Sequence, residues 1–342
     1  MLKLKKITTL FIMLGFLFIS AESSAETRQF TGNSFLLDST PITITIIADS
    51  ADEKNVTRAI DEVITKIKTS DSMLFASGGL ADRINSLPKG ESIKLPFDIL
   101  SMIKKGIKVS ALTHNFYDIA APSPKSFFTK RDWRRIEIND EQGTLSFKSD
   151  KMKLDLTRIS KGYYVDTGLT YLKNNGYMNN MITAGSIQKS SGHDIHTPWA
   201  IQVDFEMNDQ SKFAHRAKRY NISDIAAATV NRNGLGKDLI DGRSKDAADP
   251  RGIESVTILT DDGVKSVAYA LAVYSIGQKY AINYANDNPQ IAAIMVNEDG
   301  QIFASEGLGN SKKLTSRWAS ETKYGGPNDV RQKKLEEEKE IN

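Results

Sequence analysis

Apolar and hydroxyl side chains alternate over residues 40–48 (T-P-I-T-I-T-I-I-A), the period of a strand with one face turned to a core. Ser50 and Glu53 then offer a capping box. Val56, Ala59, Ile60, Val63, Ile64 and Ile67 recur at helical spacing and predict an amphipathic helix laid on that sheet. Ile99, Leu100, Ile103 and Ile107 predict a second helix. A third spans about 165–175, where Gly176 supplies a C-terminal cap. Strand-like runs occupy 181–184, 199–204 and 255–260, a largely buried helix 264–276, and a strand 290–296. Asn297-Glu298-Asp299-Gly300 turns that last strand into a hairpin with 301–305. Helices interleaved with antiparallel hairpins define an α+β class with layered sheets rather than a purely parallel one.

Composition changes this picture at the two ends. The chain has 342 residues, 40% hydrophobic and 25% charged, enough for a substantial core, and a net charge of +3 that demands no nucleic-acid partner. Part of that charge is Lys3, Lys5 and Lys6, which precede an apolar run over 10–19 and the small residues Ser23-Ser24-Ala25. This is the layout of a secretory signal peptide over 1–25 cleaved before Glu26, and the run is short for a membrane span. The expectation is therefore a periplasmic or otherwise exported protein with no stable span after cleavage. Without cysteine the chain has no disulfides, no thiolate ligands and no site for lipid attachment. A folded domain over 26–322 is expected, followed by a polar charged tail over 323–342 that ends in K-K-L-E-E-E-K-E. His193 and His196 sit beside Gly192 and Pro198 in what reads as a surface loop, with no further ligand at a zinc spacing.

The stretch 155–166, D-L-T-R-I-S-K-G-Y-Y-V-D, resembles the signature D-L-G-G-I-A-K-G-Y-x-V-D of the FAD:protein FMN transferase (ApbE-like) family. Further blocks follow in the family's order. Residues 80–85 resemble S-E-L-S-R-L-N, Phe116-Tyr117-Asp118 resembles F-D-P-T, and Ala184-Gly185-Ser186 stands at G-G-D. Residues 238–243 (D-L-I-D-G-R) stand at H-I-I-D-P-R, and 255–277 track the family's S-V-T-V strand and A-D-A-L-A-T-A-L helix without a gap. The resemblance implies a single flavin transferase domain of T-fold-like layered architecture, holding FAD in a cleft. It also implies a chemistry in which Mg²⁺ assists transfer of FMN from FAD to a Thr or Ser of an exported electron-transfer protein.

Carried over residue by residue, that chemistry is incomplete. Mg²⁺ requires hard oxygen ligands, and the family's Asp and Thr fall on Val267 and Leu271, which leaves only the main-chain carbonyl of Ser160. Mg²⁺ is not expected to bind as it does in active members. Asp238 replaces the family's His, a candidate base, and a carboxylate is the weaker base at neutral pH. Thr157 and Arg158 replace paired glycines, and Val230 and Asn231 replace a Ser-Gly. The cofactor-binding residues implied are Thr157, Arg158, Lys161, Gly185, Asp241 and Arg243. For Arg158 two readings stand: a cation that meets the pyrophosphate in place of Mg²⁺, or a partner for Asp155. Asp241 and Arg243 either touch ligand or brace their own loop, and Asp166 either orients FAD or caps a helix. FAD or a related nucleotide is the expected small-molecule partner, with an exported flavoprotein or electron-transfer protein beside it. Three functions remain open: a pseudoenzyme with weakened or lost transfer, an active transferase using Asp238, Asp261 or Asp262 as substitute ligands, and a structural interaction protein with a closed cleft.

Overall fold

The computed structural model describes residues 26–126, 130–203 and 218–308. The proposed signal peptide and the charged tail lie outside the described residues. The first strand, β1 (Thr27–Phe35), pairs antiparallel along its whole length with β2 (Pro41–Asp49), the alternating segment, whose Ile42, Ile44 and Ile46 are buried. Sequence patterning missed β1 for a physical reason: it is an edge strand in which only Phe30 is buried, so it carries almost no apolar alternation. The predicted capping box does not form. Asp49 instead accepts the amide of Ala51 to start a 3-10 turn, and α1 (Glu53–Phe75) follows from Asp52 without a side-chain cap.

After α1 come α2 (Leu80–Asn85), β3 (Ser92–Lys94), α3 (Phe97–Leu112), β4 (Ile136–Asn139) and β5 (Thr144–Phe147). The short strands β3, β5 and β4 make a three-stranded antiparallel sheet. Next is α4 (Thr157–Asn174), which begins eight residues before the expected start at Val165. Its first turns bury Ser160, Lys161 and Gly162 alongside Ile159, so polar and small residues sit where an apolar stripe would have announced the helix. Gly176, at φ +87°, closes it as expected, and Tyr177 donates its amide back to Leu172.

The remainder runs β6 (Asn180–Ala184), β7 (Ile187–Ser191), β8 (Trp199–Val203), β9 (Lys218–Ile222), β10 (Ala226–Asn231), β11 (Ile253–Thr260), α5 (Gly263–Ile276), α6 (Gln278–Asp287), β12 (Ala292–Asn297) and β13 (Ile302–Ala304). The main sheet has eight strands in the order β1-β2-β6-β7-β10-β11-β12-β13, and every pairing is antiparallel. One face packs against α1, α4 and α5 through Ile44, Ile182, Val256, Ile258 and Met295. The other face, with Ile47, Leu259, Ile294 and Val296, is covered by Trp199, Ile201 and Tyr220 of the β8–β9 hairpin. Burial on both faces explains why β11 and β12 read as nearly continuous apolar runs.

Candidate functional site

The signature segment is helical from Thr157, and this decides what its residues can reach. Ser160 is 1% exposed and its hydroxyl donates to the Thr157 carbonyl at 3.0 Å. Its own carbonyl lies within α4, where the helical ladder pairs it with the amide of residue 164. A carbonyl engaged in that ladder is a poorer cation ligand than one in an open loop. At Gly162 α4 crosses α5 in close contact: a Cβ there would lie 2.3 Å from the Gly263 carbonyl oxygen.

Arg158 reaches out from the first turn of α4. Its Nε donates to the Leu235 carbonyl at 2.9 Å, Nη2 to the Lys237 carbonyl at 2.7 Å, and Nη1 to the carboxylate of Asp155. The guanidinium thus straps the 232–238 loop to the signature helix. Of its two readings, the structure displays the pairing with Asp155. Beside this strap lies Tyr117, whose buried hydroxyl has no partner among the described residues; burial, followed by the neighbouring Asp155, pushes the phenol well up. Asp238 follows directly at φ +54° and is exposed.

Lys161 is paired as well. Its Nζ lies 2.7 Å from the Asp38 carboxylate and 3.3 Å from the Thr157 carbonyl, and its side chain is only 10% exposed. Burial tends to raise Asp38, but Lys161 and the hydroxyl and amide of Thr40 outweigh it and hold the carboxyl below its ordinary range. Gly185 adopts φ +59°, donates to the Pro41 carbonyl at 2.9 Å, and lies so close to Thr40 that a Cβ would meet its methyl at 3.0 Å. The 38–40 turn therefore brings Lys161 and Gly185 to one place. Sequence reasoning missed Asp38, which carries no local signature because its partner is 123 positions away.

Asp241 and Arg243 form a two-point ion pair, at 2.8 Å and 3.2 Å from the guanidinium, and Asp241 also accepts the amide of Arg243 at 2.8 Å. The guanidinium lies 3.6 Å from the centroid of the Phe116 ring. Burial works against the charge on Asp241, yet the bonds from Arg243 keep its carboxyl lowered. The arrangement braces the loop, and among the described residues no hydrogen bond or ion pair joins it to Arg158 or Lys161.

Val267 and Leu271 are both fully buried in α5, a helix in which every residue except Lys265 is buried. They present no oxygen to a cation. Asp262 is the N-cap of α5, accepting the amide of Lys265 at 3.0 Å and pairing with Lys105, while Asp261 meets the Lys265 ammonium at 3.3 Å. Asp166 also caps α5 rather than its own helix. Its oxygens accept the Gly263 amide at 2.9 Å and 3.0 Å and take the Lys189 ammonium at 2.6 Å. Burial raises this carboxyl, with Lys189 opposing and Asp262 adding to the rise. Among the described residues no three His, Asp or Glu side chains gather as a metal site, and His193 and His196 are exposed.

The frame is a layered α+β one, with the signature segment on the first turns of α4 where that helix crosses the start of α5. The chain belongs to the ApbE family, whose sequence model matches residues 39–295. It is 24% identical over 284 residues to the FAD:protein FMN transferase of Vibrio cholerae, spanning 75% of this chain and 84% of that one. The corresponding protein of Haemophilus influenzae is 20% identical over 257 residues, 65% of this chain and 72% of the other. Among solved structures, flavin transferase ApbE from Vibrio cholerae superposes with a TM-score of 0.65 at 22% identity, covering 82% of this chain and 98% of that one. Apo flavinyl transferase ApbE from Pseudomonas stutzeri gives 0.68 at 17% identity over 87% and 98%.

Proposed function

We propose that this protein is an exported member of the FAD:protein FMN transferase family that binds FAD or a related nucleotide and has lost Mg²⁺-dependent FMN transfer. The observation that carries this reading is the pair Val267 and Leu271, apolar and fully buried at the positions where the family resemblance expects an acid and a hydroxyl. Phosphoryl transfer depends on neutralising charge at the bridging oxygens, and these side chains supply none. The substitute carboxylates have other duties: Asp262 caps α5 and pairs with Lys105, and Asp261 pairs with Lys265. The residues present do not fit a protein-held Mg²⁺, so no step is routed through one. Lys161 is the cation best placed to meet a phosphate, on exchange of its Asp38 partner.

A closed-cleft interaction protein is a second reading, favoured by the Arg158 strap across to Leu235 and Lys237. Export, with cleavage before Glu26, belongs to the same proposal and rests on the basic, apolar and small-residue order of the first 25 residues; mass spectrometry of a periplasmic fraction checks it. Calorimetric titration with FAD, in Mg²⁺ and then in EDTA, tests the binding claim. Equal affinity in both supports a metal-free nucleotide site, and no heat at all favours the closed cleft. Tightening by Mg²⁺ of about tenfold, or 1.4 kcal/mol, contradicts the account.

A further inference from the structure

A cavity of about 590 Å³ opens between the end of α3, residues 124–126, residues 130–134 and residues 242–245. This is within the usual range for small-molecule pockets, roughly 300 to 1,000 Å³. Of the residues singled out from the sequence as cofactor contacts, only Arg243 lines it; Thr157, Arg158, Lys161 and Gly185 do not. We propose that this cavity is a separate binding site for a small phosphate monoester, held by Lys130 and Arg131 with its organic part against Trp133.

Charge bookkeeping around the walls points to an anion. Lys125, Arg134, Arg243 and Lys245 each face the cavity and each already has a carboxylate, from Asp246, Asp132, Asp241 and Asp118 respectively. Lys130 and Arg131 also line it, and neither forms an ion pair among the described residues. The two uncompensated cations match the two charges of a phosphate monoester dianion. Arg131 is positioned in advance: Nε donates to the Asp150 carbonyl at 2.9 Å, and Nη1 to those of Pro124 and Lys125 at 3.1 and 3.3 Å. Its Nη2 has no partner among the described residues and is left as a donor for a phosphate oxygen.

The walls are fixed in a way a passive surface does not require. His114, Asn115 and Lys245, all on the rim, hold φ of +50°, +66° and +61°, a conformation that non-glycine residues adopt at a cost of order 1 kcal/mol or more. Gly242 is wedged so tightly that a Cβ would lie 2.4 Å from the Asp118 Cβ and 2.5 Å from the Asn115 carbonyl oxygen. The Trp133 indole donates to Asn115 Oδ1 at 2.9 Å, which sets its ring plane in the wall. A sequence signal for the site existed in the K-R-D-W-R-R run over 130–135.

Phenyl phosphate is a suitable probe, because it joins a dianion to a planar ring. Titration by calorimetry is expected to show saturable binding that weakens with added salt, while phenol shows none. Lys130→Gln and Arg131→Gln should each weaken it about tenfold. Lys130 is exposed, so its variant carries little folding risk, and Lys104→Gln, which removes a lysine paired with Asp140 outside the cavity, should leave affinity unchanged. Absence of saturable binding tighter than about 1 mM overturns the proposal. So does binding that survives both Arg131→Gln and Lys130→Gln, and its loss in Lys161→Gln would then place the anion in the signature cleft. The FAD titration reports on the family reading independently of either result.

Discussion

Arg158 makes three bonds to groups of its own chain, two to carbonyls and one to a carboxylate, and is only 19% exposed. To meet a phosphate it must first leave them. We therefore expect Arg158→Gly not to weaken FAD binding, and to lower stability by about 1.5 to 3 kcal/mol, the range for hydrogen bonds to a charged group; urea unfolding and FAD titration of the same variant check both. Asp166 is placed more deeply. Removing its carboxylate strands the Lys189 ammonium, 14% exposed, and leaves the Gly263 amide at the start of α5 without its acceptor, although Asp262 still caps that helix, so Asp166→Ala should cost about 3 to 5 kcal/mol and show as a large drop in Tm. At Asp38 the prediction concerns pH. Its carboxyl is lowered in the folded state, so its contribution is complete above the unfolded value of about 3.9 and is lost as pH falls through the folded value. Asp38→Asn should accordingly be less sensitive to a shift from pH 7 to pH 3 than the parent, as judged by urea midpoints. The pairing of Arg158 with Asp155, three residues away, was one of the two readings the sequence offered, whereas its bonds to the Leu235 and Lys237 carbonyls, the Asp38 partner of Lys161 and the Lys189 and Gly263 partners of Asp166 lie far along the chain and left no local signal.

Elements were legible in proportion to how one-sided their burial is. α1 buries one stripe, Val56, Ala59, Ile60, Val63 and Ile67, and its periodicity predicted it. α5 buries nearly everything and was still found, because a long apolar run bounded by Asp262 and Gly277 reads as a core helix. The first turns of α4 escaped notice because they pack by backbone rather than by apolar side chains. Gly162 and Gly263 lie face to face where α4 crosses α5, and neither has room for a methyl group. Gly162→Ala should force the helices apart and destabilise by about 1 to 3 kcal/mol or more, measurable by thermal unfolding. Gly176→Ala, at a left-handed position with nothing within 4 Å, should cost less, about 1 kcal/mol.

At the scale of the whole molecule, the ApbE family frame is intact: an eight-stranded antiparallel sheet, helices on one face and a hairpin on the other. The order of family-like blocks made that frame legible before any coordinates, whereas the cavity lined by 124–126, 130–134 and 242–245 depends on loops whose meeting no local pattern announces. The proposal that this frame no longer carries Mg²⁺-dependent transfer rests on Val267 and Leu271, which the family resemblance places at its ligand positions and which are fully buried in the core. The direct test is to incubate the protein from Glu26 onward with FAD, with and without Mg²⁺, and follow FMN and AMP by chromatography beside an active transferase. The account predicts no Mg²⁺-stimulated product from this chain, while the active enzyme turns over. Robust Mg²⁺-dependent release of FMN or AMP, abolished by Asp262→Ala or Asp261→Ala, would contradict it.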